Sequence, residues 1–176
     1  MSEPAVPEPD VKDWTWTISR RCLDCGFDPE AVDHETIPRL TRAYAAAMAE
    51  ALGGTHATTR PTPTTWSPLE YACHIRDVCS LFDRRLRLMR TEHDPVFENW
   101  DQDETALAQR YWEQRTADVA EQLIENADAI ATAFGEIRDD EWQRPGRRSN
   151  GSSFTIDTFA TYFLHDLAHH VRDVTA

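Results

Sequence analysis

The chain has 176 residues, enough for one sizeable core and too few for two ordinary domains, so it reads as a single domain. Its 18 basic residues face 31 acidic ones, a net charge of −13, with no Lys/Arg run beyond pairs such as Arg84-Arg85 and Arg147-Arg148, which argues against nucleic acid or an anionic membrane as partner. No stretch approaches the roughly 20 apolar residues of a membrane span, and Met1–Asp10 lacks the basic and apolar regions of a secretion signal, so a cytoplasmic protein is expected. In that reducing setting the four cysteines are expected as thiols or ligands and not as disulfides.

Residues 1 to about 12 are rich in Pro and Glu and read as a disordered tail. Residues 13 to about 30 carry tryptophans, the Cys22/Cys25 pair and turn residues, and read as an irregular cap on a helical domain that occupies 13–176. A first helix is predicted from about Asp33 to Leu52, on the spacing of Leu40, Tyr44, Ala47, Met48 and Ala51, with Gly53-Gly54 as its stop. A Thr/Pro loop follows from Thr55 to Trp66.

Ser67-Pro68-Leu69-Glu70 joins a capping box to a proline at the first helical position, so a second helix should begin at Ser67. Tyr71, Ile75, Val78, Phe82, Leu86 and Met89 form its apolar stripe, with His74 at the stripe's border. A charged loop from Thr91 to Asp103 leads to a third helix over about Glu104 to Phe134, with Leu107, Tyr111, Val119, Leu123, Ile130 and Phe134 inward. The turn-rich loop Arg144–Ser153 precedes a fourth helix from about Thr155 nearly to the C-terminus, its stripe being Ile156, Phe159, Phe163, Leu167, Val171 and Val174. Four long helices without any β-alternating run define an all-α four-helix bundle.

Three histidines carry the chemistry. His165 and His169 are four apart, about 40° on the helical wheel, and His74 on another helix closes a three-His metal site with open positions. The wheel places His170 some 100° further round, near Phe159 and Phe163, as a packing or supporting residue. The same wheel puts His165 and His169 well away from the centre of the apolar stripe, so they must sit in a groove between helices beside Tyr162. A competing pair, Asp166 and His170, faces another way. Ligating imidazoles usually donate their second N–H to an acceptor, for which Asp77 and Asp173 are the candidates.

The run Trp66-Ser67-Pro68-Leu69-Glu70 with His74, and Asn150-Gly151-Ser152-Ser153-Phe154-Thr155 leading into His165-Asp166-Leu167-Ala168-His169-His170, resembles the DinB/YfiT-like family of small bundle proteins. The resemblance covers most of the chain after residue 30. It implies a divalent metal, commonly zinc or nickel, on His74, His165 and His169. It also implies a thiol-dependent transferase or related enzyme, joining an electrophile to a small-molecule thiol such as mycothiol or bacillithiol. The alternative is a non-catalytic, stress-associated metal-binding bundle whose ion is structural. A third reading is a dimerising domain without metal, with a homodimer as the expected partner arrangement.

The segment Cys22-Leu23-Asp24-Cys25-Gly26 departs from the family pattern. It has the shape of a zinc knuckle but no second Cys-x-x-Cys, because Cys73 and Cys79 are six apart. Three readings stay open: a packing turn with inert thiols, a metal contact completed by other groups, and a redox pair. In one further reading the cap folds over the histidines, restricting access or donating a thiolate. Trp66, Trp100 and Trp142 flank helices as core anchors or as a pocket rim, and the Arg144–Arg148 loop is either solvated or a seat for an anionic substrate.

Overall fold

The computed structural model describes residues 12–175 together with Ala5 and Pro7. The tail expected over residues 1–12 lies outside the described residues apart from Ala5, Pro7 and Lys12. Among the described residues five α-helices follow a front segment that holds two short 3-10 turns, Thr15–Ile18 and Pro29–Ala31. They are α1 (Ile37–Ala51), α2 (Pro68–Thr91), α3 (Gln102–Ala108), α4 (Thr116–Gly135) and α5 (Ile156–Thr175). Of these, α1, α2, α4 and α5 form the bundle.

The helices are not arranged in chain order. Both α4 and α5 pack along α1 and along α2, whereas α1 and α2 touch each other only slightly. Around the bundle the order is therefore α1, α4, α2, α5, with α1 and α2 on one diagonal. Short loops make consecutive helices neighbours, so the diagonals require the long connections observed at 52–67 and 136–155. The consequence for function is that α2 and α5 lie side by side.

Helix α2 starts where its capping box places it. Ser67 Oγ accepts from the Glu70 N–H at 3.3 Å, and Glu70 Oε2 accepts from the Ser67 N–H at 2.9 Å. Glu70 is almost wholly buried and is also gripped by the Arg60 guanidinium. Burial alone would raise its carboxyl pKa, but Arg60 and Ser67 hold it below the ordinary value. Every expected inward position of α2 is buried except Tyr71, which is half-buried.

Three expectations are corrected. The first helix begins at Ile37, because Asp33 and Thr36 close a turn on each other: Thr36 N–H donates to Asp33 Oδ1 at 2.8 Å, and the Asp33 N–H to Thr36 Oγ1 at 3.2 Å. Its buried line is Ile37, Thr41, Ala45 and Met48; of the predicted stripe Met48 is buried, whereas Leu40, Tyr44, Ala47 and Ala51 are half-buried. The third helix is broken into α3, a 3-10 turn at Tyr111–Glu113, and α4. The break lies at Arg110, whose φ of 49° no helix accommodates, and it drives Tyr111 fully into the core.

A small sheet also appears where only loops were expected. Strand β1 (Val96–Phe97) runs parallel to β2 (Pro145–Arg148), which is antiparallel to β3 (Ser153–Thr155). Strands of two to four residues are too short to show a period of two. The sheet is anchored by buried Phe97 and Phe154, each with its ring 6.0 Å from Phe159. Gly146 lets β2 approach closely, since a Cβ there would lie 2.8 Å from both Met89 and Phe97.

Replacing Glu70 by Gln is expected to cost about 1–3 kcal/mol in denaturant unfolding at neutral pH, because Arg60 loses its charged partner. The folded carboxyl titrates below its unfolded counterpart. Its stabilisation is therefore present above the unfolded pKa and is lost as pH falls through the folded one. The gap between wild type and variant should close toward acid, and a gap independent of pH would exclude the ionised pair as its source.

Candidate metal centre

The site follows from how α5 is packed. Ile156, Phe159, Phe163 and Leu167 face the bundle interior and are fully buried. Asp166 and His170, four apart and about 40° from each other, flank that stripe on the side of α2. His74 on α2 meets them there. One donor atom each from His74, Asp166 and His170 lies within 4.8 Å of the others.

His74 is 1% exposed, and both of its ring nitrogens are buried without a hydrogen-bond partner among the described residues. Asp166 Oδ2 stands 3.8 Å from His74 Nε2, beyond hydrogen-bonding reach, while Asp166 Oδ1 is 3.3 Å from His170 Nε2. The other His170 nitrogen, Nδ1, is fixed by Asp173 Oδ2 at 2.9 Å. Burial lowers the pKa of His74, since the charged ring is costly to desolvate. For His170 burial is outweighed by Asp166 and Asp173, which push it up to about 9. Asp166 is held well below the usual carboxylate range by the two histidines, against the opposing effect of its burial.

These donors suit a divalent cation. A buried imidazole with neither nitrogen satisfied ordinarily costs about 1–3 kcal/mol, and a ligand bond relieves it. Two imidazoles and one carboxylate are a donor set of catalytic metal sites, which keep an open position. The centre lies at the wall of a cavity of about 630 Å³. Trp66 and Trp100 pack on His74 with ring centroids 5.5 Å away in each case, Trp100 nearly parallel. Trp142 instead stacks on His34 at 3.7 Å and takes no part in this cavity's lining.

The expected triad of His74, His165 and His169 is thus divided between two clusters. His165 and His169 point away from α2 toward the front segment, where they gather with Cys22 and Cys25, all four donor atoms lying within 4.8 Å of one another. His170, read as a supporting residue, stands among the donors instead. Asp173 supports His170 and not His169. Asp77 is occupied elsewhere, accepting from Arg76 Nε at 2.8 Å and from the Tyr111 hydroxyl at 2.5 Å. Asp166 appeared in the sequence only within the competing pair; its signal was its phase with His170, close to the buried Phe159 and Phe163.

Of the Arg144–Arg148 loop, Arg144 ties the loop to the end of α2 through the Met89 and Glu92 carbonyls, and Arg147 pairs with Asp94 at 3.0 Å. Arg148 lines the cavity, as does Arg85 from α2. Burial lowers Arg85 to about 10, which leaves it cationic at neutral pH.

The family model described as the DinB superfamily matches residues 39–174. The chain belongs to the DinB superfamily. It is also similar to a solved structure of YfiT from Bacillus subtilis, described as a probable metal-dependent hydrolase with an unusual four-helix bundle topology. The TM-score is 0.72 at 13% identity over 83% of this chain and 89% of that one. At that identity the likeness is one of fold. No curated protein matches the chain in sequence.

Asp173 offers a direct test of the His170 orientation. Asp173→Ala should weaken divalent-metal binding about 10- to 100-fold in chelator competition while leaving the helical circular dichroism intact. Unaltered affinity would mean that His170 is not a ligand.

Proposed function

We propose that the protein is a divalent-metal-dependent enzyme that joins a low-molecular-weight thiol, of mycothiol or bacillithiol type, to an electrophilic small molecule. His74, Asp166 and His170 hold the ion, zinc by donor chemistry with nickel as the alternative. The observation that carries this reading is His74, buried with both nitrogens unpartnered beside a carboxylate and a second imidazole at a cavity wall. Thiol transfer rests on the family resemblance. Its physical support is a cavity large enough for two small reactants.

His74, Asp166 and His170 would hold a divalent ion, which would supply Lewis acidity that favours the deprotonated form of a thiol or water. The chain's own residues do the rest. Asp173 orients His170, so that Nε2 faces the centre. The rings of Trp66 and Trp100 hold His74 and keep water from its faces. Arg85 and Arg148 set positive charge on the cavity wall beside Tyr162, where a carboxylate of substrate or thiol would be held. Arg148 is held at the wall by donating from Nη2 to Asn99 Oδ1 at 3.1 Å.

Water is the second candidate nucleophile, favoured by the description of YfiT as a probable metal-dependent hydrolase. A panel of thiols with a simple electrophile, run beside an ester panel without thiol, separates the two. Both activities should fall by about 100-fold or more in His74→Ala and in His170→Ala, together with the metal content of this centre. Conjugation that requires thiol supports the transferase; ester cleavage without thiol supports the hydrolase. An ion that no small ligand can reach, and whose removal only unfolds the bundle, would replace both with a structural role.

A further inference from the structure

We propose that Cys22, Cys25, His165 and His169 form a second metal centre, a closed Cys2His2 zinc site that fastens the front segment to α5. It is separate from the centre of the proposed enzyme and chemically unlike it. The family match begins at residue 39, so both cysteines lie outside the matched span.

The argument begins with the turn. The Gly26 N–H donates to the Cys22 carbonyl at 2.9 Å, and the Cys22 N–H to the Phe27 carbonyl at 2.9 Å. Gly26 closes this turn at φ +79°, where a side chain would be strained. The result is a knuckle that presents two thiols to one point. Opposite it, His165 and His169 stand one helical turn apart with ring centroids 5.3 Å from each other. Cys22 Sγ lies 3.9 Å from His169 Nδ1, and all four donors are within 4.8 Å of one another. Tetrahedral zinc with Zn–S of about 2.3 Å and Zn–N of about 2.0 Å sets its donors roughly 3.3–3.8 Å apart, so small rotamer adjustments complete the site.

Two further observations point to a ligand. His165 is 3% exposed, and its Nε2 is buried with no hydrogen-bond partner among the described residues. Both thiols are free, with no disulfide between them, although they stand on one knuckle. The surroundings are apolar: the Trp14 ring lies 5.4 Å from that of His165 and 5.0 Å from that of His169, and Phe27 is edge-on to His165 at 5.6 Å. His165 and His169 also border the cavity, but four protein donors fill a tetrahedral shell without an open position, which is the pattern of a structural zinc site. Soft thiolates also select zinc over the hard cations that carboxylates accept.

The structural consequence reaches the first centre. Trp14 and Asp24, on the segment so fastened, line the cavity next to His74. The ion thereby holds one wall of the proposed active site.

The test is metal analysis of full-length, tag-free protein. About two divalent ions per chain are expected, one with thiolate ligands. Cobalt substitution should give thiolate-to-cobalt charge-transfer bands in the wild type, which needs no variant to fold. Cys22→Ser with Cys25→Ser should remove those bands and one ion; Cys25→His, which keeps four donors, should retain the ion. His74→Ala with His170→Ala should keep the bands and lose the other ion. A wild type with one ion that bears the thiolate signature supports this site and removes the His74 centre. Absence of that signature, or a metal content indifferent to both cysteines, overturns the proposal.

Discussion

The rotational phase of α5 is the constraint from which the rest of the site follows. Phe82 on α2 stacks on Phe159 at 4.5 Å and lies tilted against Phe163 at 5.2 Å, and Phe134 on α4 reaches Phe163 at 5.8 Å. A buried side chain of this kind is worth about 1.5–3 kcal/mol, against about 0.5–1.5 for one hydrogen bond. Packing therefore fixes the helix's rotation, and its polar residues take the directions left to them. Asp166 and His170 are turned to α2. His165 and His169, about 100° further from the stripe, are turned to the front segment.

The second condition is topological. In an up-down-up-down bundle with short loops, consecutive helices would be neighbours. Here α1 and α2 stand diagonally, and α2 takes its place beside α5. Without that crossing His74 and Asp166 would belong to diagonal helices, which touch only slightly. The connection that permits it, residues 52–67, is tied down by Arg60, whose guanidinium grips Glu70 in the first turn of α2. The capping box is thus part of the site's foundation, since the position of His74 is reckoned from Ser67.

Much of this was legible in the residues. The capping box, the inward positions of α2 and the class of fold follow from local rules that tertiary structure left intact. The break at Arg110 was not legible, because no Gly or Pro marks it and a left-handed Arg is a tertiary imposition. The small sheet escaped for want of length. The histidines are more instructive. The wheel itself placed His170 beside Phe159 and Phe163 and put His165 and His169 off the stripe. Read as an inconvenience, that offset called for a groove; read as geometry, it called for another element to cover the pair, and the cap is that element. The sequence offered the cap over the histidines only as one reading among several, for nothing local links Cys22 to His169, 147 residues away.

Interleaving two ligand pairs on one helix raises the question of how each keeps to its own ion. His169 and His170 are adjacent, with ring centroids only 5.9 Å apart, so separation by distance is slight. Direction and donor chemistry supply what distance does not. The rings stand at 89° to each other, which aims their nitrogens at different neighbours. His170 is further held by Asp166 and Asp173, a pair of carboxylates that no rotation of His169 could borrow without unpairing them. On the other side, two thiolates make the cap the stronger trap for a soft ion and the carboxylate centre the better seat for a harder or more weakly held one. A four-ligand site without an open position exchanges slowly, whereas one that faces a cavity must bind and release small ligands. The same turn of α5 therefore serves two opposed demands, rigidity toward the cap and access toward the cavity, because adjacent residues on a helix face nearly perpendicular directions.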